Sequence, residues 1–525
     1  MTGLEGVNRV LGPGLLLCML VGMLVSLPGC SSKQSAAGPN GVLQTLQQRM
    51  DQWEPSLNAV IALDPTLADQ LQQALAAEAD SPLHGLPTPL HGLPVLLKDN
   101  IETSTQVTTA GSLALVDNFT GRDAELVRRL RAAGLVIAGK TNLSEWANFR
   151  DEDSTSGWSA VGGLTRNAID PSRTACGSSS GSAVAVAAGY VPFTVGTETN
   201  GSIICPAASN GIVGIKPTVG LVSRGGIVPI SHSQDTAGPM AYSVTAAALL
   251  LSAMEGEDPA DPATVQAREH FGRDYLAQLK ANGLEGLRIG VIGNYNFHDG
   301  SEILFEQAVE DLRKAGALLQ EGLLFPDWPE DFWTDALVVM EFEFKHDLNH
   351  YLASLPGAAG ELNMQKLIAF NQAHAEQEMP WFGQSRFESA QQRAGLDSPE
   401  YQQALQRVQA FTRNGIDGLL AEHQLDLLVM PSYSLPFSID LVHGDNFIGG
   451  SSSMAAIAGY PHITVPAGRI KGLPAGLSFV GTAFSEPVLL RAAYAYEQAT
   501  RHATTLAGDD PWRLQQRWQG LNLDP

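Results

Sequence analysis

Short apolar runs alternate with amphipathic segments along most of this chain. Residues 94–97 (Pro-Val-Leu-Leu) and 135–138 (Leu-Val-Ile-Ala) have the length and unbroken hydrophobicity of strands that are buried on both faces. The spacing of apolar positions predicts helices over residues 41–50, 65–78 and 123–133. This alternation of short strands with helices predicts an α/β architecture.

The second half of the chain continues the pattern. Buried strands are predicted at residues 287–292, 425–430 and 462–466, and a closing helix at 486–501. The sequence between about 300 and 424 is mostly helical in pattern. Because no strong boundary divides the chain, we expect one large domain over residues 41–525, with a helical excursion at about 300–424.

The N-terminus has the pattern of a targeting segment. Residues 15–27 are almost entirely apolar but too short to span a bilayer comfortably. They run into Leu-Pro-Gly-Cys-Ser-Ser at residues 27–32, which resembles a bacterial lipobox. We expect a lipoprotein signal peptide over 1–29, lipidation of Cys30 and a tether over 30–40. The protein would then be an exported lipoprotein that faces the periplasm or the cell surface, in the outer membrane where the cell has one, and it would be held there through that anchor only. The alternatives are an ordinary cleaved signal and a plain anchor helix.

Composition narrows the class of protein. The chain has 525 residues, of which 44% are apolar and 17% charged, as in globular proteins. A net charge of −23 disfavours a nucleic-acid partner, because phosphate binding needs clustered Lys and Arg. Residues 166–240 are dense in Gly, Ser, Thr and Pro, but interleaved apolar runs favour ordered loops packed on a core.

Four cysteines are present, and two of them, Cys18 and Cys30, lie in the N-terminal targeting segment. Cys176 and Cys205 each lie within three residues of a serine that is a candidate for catalysis. A disulfide between them is possible in an oxidising compartment, but we expect two buried free thiols. The cysteines show no zinc-site spacing.

One lysine and two serines carry the candidate chemistry. Lys98 follows the apolar run at 94–97, Ser178 lies 80 residues later, and Ser202 follows after 24 more. A serine nucleophile needs a base, and lysine can serve only when it is neutral, which requires a pKa well below its usual value of about 10.4. An apolar strand before Lys98 would supply the desolvation that lowers this pKa. The pattern indicates acyl transfer without a histidine.

Several motifs resemble the amidase signature family in sequence and order. They are residues 139–142 (Gly-Lys-Thr-Asn), 177–189 (Gly-Ser-Ser-Ser-Gly-Ser and a small-residue stretch), 200–203 (Asn-Gly-Ser-Ile), 211–218 (Gly-Ile-Val-Gly-Ile-Lys-Pro-Thr), 235–239 (Asp-Thr-Ala-Gly-Pro), 458–461 (Ala-Gly-Tyr-Pro) and 472–477 (Gly-Leu-Pro-Ala-Gly-Leu). The resemblance implies a central mixed β-sheet covered by helices. It also implies amide hydrolysis through an acyl-enzyme, without metal or cofactor.

The same resemblance assigns roles to individual residues. Ser202 would be the nucleophile, Ser178 a bridging serine that follows a cis peptide bond, and Lys98 the base that returns a proton to the departing ammonia. The backbone N–H groups of three successive residues would form the oxyanion hole. These residues are Thr199, Asn200 and Gly201, while Ser179 would support the hydrogen-bond network without reacting.

Two positions depart from the family pattern. Many members have Asp-x-Gly-Gly-Ser where this chain has Glu198 followed by Thr-Asn-Gly-Ser, so the acid and the final glycine are preserved. Many also carry an arginine two positions after the nucleophile, where this chain has Ile204. The second change favours an apolar or neutral substrate environment.

Other catalytic patterns fit less well. Residues 177–181 satisfy G-x-S-x-G, which would make Ser179 the nucleophile of an α/β-hydrolase, but a turn precedes them instead of a strand. His346 and His350 have the spacing of a metal pair without a third ligand, which favours a solvated helix face. His232, between Ser231 and Asp235, is better explained as a polar loop residue than as part of a triad.

The substrate is less defined than the reaction. Residues 143–149 and 156–160 most resemble bacterial peptide amidases, which act on C-terminal carboxamides. A fatty-acid or aryl amide hydrolase and a non-catalytic lipid-anchored binding protein are the alternatives, and residues 323–344 carry too many acids for a membrane-entry segment. The export signal and the acidity argue against a tRNA-dependent amidotransferase subunit. We expect a small-molecule or peptide amide as substrate.

Overall fold

The computed structural model describes residues 39–76, 90–295, 297–503, 505–508, 512 and 514. The predicted signal peptide, the lipidation site Cys30 and most of the predicted tether lie outside the described residues. The first helix already begins at Pro39, so the last two residues of the predicted tether are helical. No helix within these ranges is both long and apolar enough to cross a membrane.

The predicted apolar runs form strands. The described ranges contain thirteen strands in all. In chain order these are β1 (Val60–Leu63), β2 (Pro94–Lys98), β3 (Val136–Thr141), β4 (Trp158–Ser159), β5 (Gly163–Leu164), β6 (Phe193–Glu198), β7 (Val213–Lys216), β8 (Thr236–Ala241), β9 (Arg288–Ile292), β10 (Leu318–Leu323), β11 (Leu427–Pro431), β12 (His462–Ile470) and β13 (Leu473–Val480).

Eleven strands make one mixed sheet in the order β1-β3-β2-β6-β8-β7-β12-β13-β11-β9-β10, and β4 pairs with β5 separately. Helices flank the sheet. They are α1 (Pro39–Leu57), α2 (Leu67–Ala76), α3 (Glu125–Ala132), α4 (Ser180–Ala187), α5 (Ile204–Asn210), α6 (Val244–Met254), α7 (Pro262–Gln266), α8 (Ser301–Lys314), α9 (Phe332–Ala353), α10 (Met364–Ala373), α11 (Ala375–Glu378), α12 (Ser385–Gln392), α13 (Pro399–Glu422), α14 (Ser453–Ala458) and α15 (Glu486–Thr500). This confirms the predicted α/β domain with a central mixed sheet.

Parallel pairing in the sheet brings the candidate residues to one edge. Strand β2 pairs in parallel with both β3 and β6, and Leu97 lies opposite Val195 of β6. The carboxyl ends of parallel neighbours meet at the same edge of a sheet, where α/β proteins form their sites. Lys98, the last residue of β2, therefore lies beside the end of β6 at Thr197 and Glu198.

Helix α4 begins at the same edge, and its small residues let it pack against the chain around it. All eight of its residues are buried. A side chain at Gly181 would collide with the backbone of Ala59 and Asn142, so only glycine allows this approach. The small-residue stretch in the sequence thus places the start of α4, and Ser178 just before it, against the ends of the strands.

The region from about 300 to 424 is mostly helical, as the pattern predicts, but it also contains β10. This strand pairs in parallel with β9 at the edge of the sheet. Only Leu323 of its six residues is buried, and it includes the charged Glu321. An edge strand of this kind lacks the buried apolar run by which β2, β3, β9, β11 and β12 were predicted.

Candidate active site

Lys98 is completely buried at the end of β2 and donates hydrogen bonds to uncharged groups. Its Nζ lies 2.7 Å from the Ser178 hydroxyl, 2.8 Å from Thr197 Oγ1 and 3.2 Å from the Thr197 carbonyl oxygen. Burial lowers the pKa of Lys98 to about 7, although the carboxylates of Asp235 and Glu198 favour the charged form. A lysine with this pKa can lose and regain a proton near neutral pH.

Ser178 links the lysine to the start of α4. Its peptide bond to Gly177 is cis, and its side chain is fully buried. The ammonium form of Lys98 donates to the Ser178 oxygen across this contact, and the neutral amine can accept the Ser178 hydroxyl proton across the same contact. The two sequence-predicted residues that lie 80 positions apart are therefore in direct contact.

Ser202 lies next to this pair through the backbone. The N–H of Ser179 donates a hydrogen bond of 3.1 Å to the Ser202 carbonyl oxygen. Ser202 is 9% exposed, whereas Lys98 and Ser178 are not exposed at all. Of the three predicted residues, Ser202 is the one that borders solvent.

The backbone of residues 199–202, here named the 199–202 loop, offers several unused donors. Within the described residues, the N–H groups of Thr199, Asn200, Gly201 and Ser202 have no hydrogen-bond acceptor. Gly201 has φ = +86°, and a side chain there would collide with the hydroxyl of Tyr433. Consecutive open N–H groups of this kind can bind a developing oxyanion.

Asn200 anchors this loop to a segment more than 250 residues away in sequence. Its Oδ1 accepts hydrogen bonds from the hydroxyls of Ser452 (2.7 Å) and Ser453 (3.3 Å). The Ser452 hydroxyl also contacts that of Tyr433 at 2.6 Å. The side chain that replaces the usual glycine therefore stabilises the loop from outside, an arrangement that sequence analysis missed.

The structure shows what Glu198 and Ile204 contact at the two positions that depart from the family pattern. Glu198 accepts hydrogen bonds from the N–H groups of Ile203 (2.8 Å) and Ile204 (3.0 Å) and so caps the start of α5. Ile204, in the place of the common arginine, is fully buried and packs with Tyr433. Glu198 thus makes a capping contact in this chain, and position 204 contributes no charge.

Ser179 does not have the surroundings of a nucleophile. Its hydroxyl donates to the Thr197 carbonyl oxygen at 3.0 Å and accepts from the Thr197 N–H at 3.2 Å. Residues 175–178 before it form no strand. The strand–turn–helix context that a G-x-S-x-G nucleophile requires is therefore missing in this segment.

The cysteine prediction was wrong. Cys176 and Cys205 form a disulfide, with their Cα atoms 5.9 Å apart. The bond joins the segment before Ser178 to α5, which follows Ser202. The sequence separation of 29 residues gave no sign that chain folding places both cysteines against Tyr433.

A cavity of ≈ 330 Å³ opens in front of the 199–202 loop. Its lining combines the disulfide, three aromatic rings and acidic side chains, but includes no lysine or arginine from the described residues. The rings belong to Tyr433, Phe437 and Phe447, and the 199–202 loop contributes Asn200 and Gly201. The cavity borders the loop that carries Ser202, although Ser202, Ser178 and Lys98 are not among its lining residues.

The three histidines considered in the sequence analysis do not have the contacts of a metal site or of a catalytic triad. His346 is exposed, and its Nδ1 lies 2.8 Å from an Asp347 oxygen; His350 is also exposed. His232 pairs with Asp347 at 2.8 Å and not with Asp235. The described residues hold no group of three side chains suited to a metal ion.

Comparison with known proteins agrees with this architecture. The family model described as Amidase matches residues 41–490. The chain therefore belongs to the amidase signature family, as the motifs predicted, and it is an amide hydrolase.

Individual relatives cover most of the chain. It is similar to a protein of Arabidopsis thaliana described as a probable amidase, with 41% identity over 85% of this chain and 84% of that protein. It is also similar to the native peptide amidase of Stenotrophomonas maltophilia, with 48% identity and a TM-score of 0.83 over 89% of this chain and 94% of the other. The complex of peptide amidase with the competitive inhibitor chymostatin gives 48% identity and a TM-score of 0.84 over 89% and 95%.

Proposed function

We propose that this protein hydrolyses a primary carboxamide to a carboxylate and ammonia through Ser202, Ser178 and Lys98. Ser202 Oγ attacks the amide carbon while its proton passes to Ser178, whose own proton passes to neutral Lys98. The N–H groups of Thr199, Asn200 and Gly201 bind the oxyanion. When the C–N bond breaks, Lys98 returns the proton through Ser178 to the leaving nitrogen, and ammonia departs.

Water completes the cycle. It attacks the ester between Ser202 and the acyl group and gives up one proton along the same path to Lys98, which returns this proton to Ser202 as the ester C–O bond breaks. The carboxylic acid that is released loses its remaining proton to solvent and leaves as the carboxylate. The observation that carries this proposal is the 2.7 Å contact between Lys98 Nζ and the Ser178 hydroxyl. Since Lys98 has a pKa of about 7, it can act both as base and as acid near neutral pH.

We infer that the acyl group is the C-terminal part of a peptide. Two solved relatives with 48% identity are named peptide amidase, and one is bound to a competitive inhibitor. The aromatic rings of Tyr433, Phe437 and Phe447 in the cavity suit an apolar side chain of such a peptide. With acidic side chains and no described lysine or arginine in the lining, the cavity favours a neutral amide over the carboxylate product.

Ammonia release from a panel of C-terminal peptide amides, fatty amides and small aryl amides tests the proposal. We expect release from peptide amides by the wild type and by Ser252→Ala, a control in which a buried serine of α6 is removed, but not by Ser202→Ala. Equal release by the wild type and Ser202→Ala would refute the mechanism. Activity on fatty or aryl amides alone would replace the substrate assignment and keep the chemistry.

We also propose that the protein is an exported lipoprotein anchored through Cys30. The support is the apolar segment at 15–27 followed by the lipobox-like residues 27–32. Metabolic labelling with palmitate, with Cys30→Ala as control, checks this. Label in the wild type that is lost in the variant is the expected result, and an unlabelled wild type contradicts the anchor.

A further inference from the structure

Asp235 supports the 199–202 loop from a position outside the proposed triad. Its Oδ1 accepts a hydrogen bond of 2.5 Å from the Thr199 hydroxyl. Its Oδ2 accepts from the backbone N–H groups of Ile230 (2.7 Å) and Ser231 (2.9 Å). One half-buried carboxylate therefore joins the first residue of the loop to the segment 230–235.

That segment is itself fixed to helix α9. The N–H and hydroxyl of Ser233 donate to Glu343 at 3.1 and 2.9 Å, and the Ser231 hydroxyl donates to the same carboxylate. The N–H of His232 donates to Asp347 at 3.0 Å. Asp235 is thus held on a braced segment, and a group held in this way can keep a neighbouring loop in one conformation.

The carboxylate also belongs to the electrostatic surroundings of Lys98. The charged groups that face Lys98 are Asp235 and Glu198. Asp235 in turn faces Asp347 of α9 and Arg224. A negative charge near the lysine stabilises its ammonium form, so it raises the pH at which the neutral base becomes available.

We propose that Asp235 is a positioning residue for amide hydrolysis, which holds Thr199 so that the backbone N–H groups of the 199–202 loop converge on the oxyanion. This inference rests on the proposed function. Asp235 then has two separable effects: a hydrogen bond that acts through Thr199, and a charge that acts on Lys98.

Three variants separate the two effects. Thr199→Val removes the hydrogen bond and keeps the carboxylate, Asp235→Asn removes the charge, and Thr199→Ser restores the hydroxyl. Thr412→Val, a buried threonine of α13 whose hydroxyl bonds to the Val408 carbonyl, is the matched control. The readouts are kcat and KM for a peptide amide, the pH profile of kcat/KM, and the Ki of a peptide aldehyde that forms a tetrahedral adduct with the serine.

We expect Thr199→Val to lower kcat by about tenfold or more with little change in KM, because loss of an oxyanion contact affects the transition state. The Ki of the aldehyde should weaken by a similar factor. Thr412→Val should stay within about threefold of the wild type, well short of the effect of losing an oxyanion donor. Thr199→Ser should recover most of the kcat and aldehyde affinity that Thr199→Val loses. Asp235→Asn should also lower kcat, and should move the acid limb of kcat/KM to lower pH by more than Thr199→Val does.

Wild-type kcat and aldehyde Ki in Thr199→Val would overturn the positioning role, even if Asp235→Asn fails to fold. An acid limb in Asp235→Asn at the wild-type pH would overturn the role of the charge. Failure of the proposed function would look different, since the wild type and Ser202→Ala would then release ammonia equally.

Discussion

Two buried lysines on neighbouring strands of the sheet have opposite surroundings. Lys98 ends β2, and Lys140 lies in β3 opposite Leu97; their exposed fractions are 0% and 1%. Lys140 Nζ lies 3.3 Å from the Asp99 carboxylate and donates to the Ile101 carbonyl oxygen at 2.6 Å. Lys98 Nζ instead contacts the hydroxyls and the carbonyl of Ser178 and Thr197.

The difference shows that burial alone does not make a lysine a base. Burial lowers the pKa of both residues, but the Asp99 carboxylate next to Lys140 opposes this effect directly. An ammonium in contact with a carboxylate is stabilised in its charged form. An amine whose contacts are uncharged hydroxyls can release the proton to a neighbour and take it back.

Replacement of Lys98 gives the largest expected change. Lys98→Met should lower kcat by about 10⁴-fold, because the variant lacks the base of the proposed relay. The midpoint of thermal unfolding should not fall, since methionine fills similar space without a buried amine. Ammonia release and thermal melts measure both quantities, and a kcat within tenfold of the wild type would show that Lys98 is not the base.

Replacement of Lys140 should have the opposite pattern of effects, with lower stability and a largely retained kcat. Lys140→Met leaves Asp99 buried without its cation, so we expect the free energy of unfolding to fall by about 3–5 kcal/mol. The folded fraction should retain most of its kcat. Urea unfolding checks the stability, and Lys140→Met/Asp99→Asn should recover part of the loss because the lone charge is removed. A stability equal to that of the wild type would contradict the structural role.

The disulfide lies close to the site of Lys98, because it joins the segment before Ser178 to α5, which follows Ser202. Cys176→Ala/Cys205→Ala should lower the free energy of unfolding by about 2–4 kcal/mol, since the cross-link restricts the unfolded chain. Thiol titration of the denatured wild type should detect neither cysteine before reduction. Free thiols at both positions would show that the bond does not form.

The pH profile of kcat/KM tests whether the base has the lowered pKa of Lys98. With a pKa of about 7, Lys98 is mostly neutral above that pH and mostly charged below it. Since the base must be neutral, kcat/KM should be half-maximal near pH 7 and fall about tenfold for each pH unit below. An acid limb close to pH 10 would mean that the base is a lysine with an ordinary pKa.

The sequence predicted five of the eleven strands of the sheet, β2, β3, β9, β11 and β12, because a strand buried on both faces needs an unbroken apolar run. It missed β6, whose Thr-Val-Gly-Thr-Glu lies in a region dense in Gly, Ser and Thr, and it missed the exposed edge strand β10. Asp235 was recognised only as part of a motif. Its hydrogen bond to Thr199 spans 36 residues, which no local pattern encodes.

The sequence by itself determined the family, the α/β fold and the identity of Lys98, Ser178 and Ser202 as candidates, because ordered motifs and apolar runs are local properties of the chain. The family resemblance singled out Lys98, but the strand pattern alone did not explain why Lys98 and not Lys140 would serve as the base, since both lysines lie in apolar strands. Only the tertiary structure decided which lysine meets a carboxylate and which meets two hydroxyls, and that Cys176 meets Cys205. Those contacts join residues far apart in sequence, and they set both the proton affinity and the covalent bond.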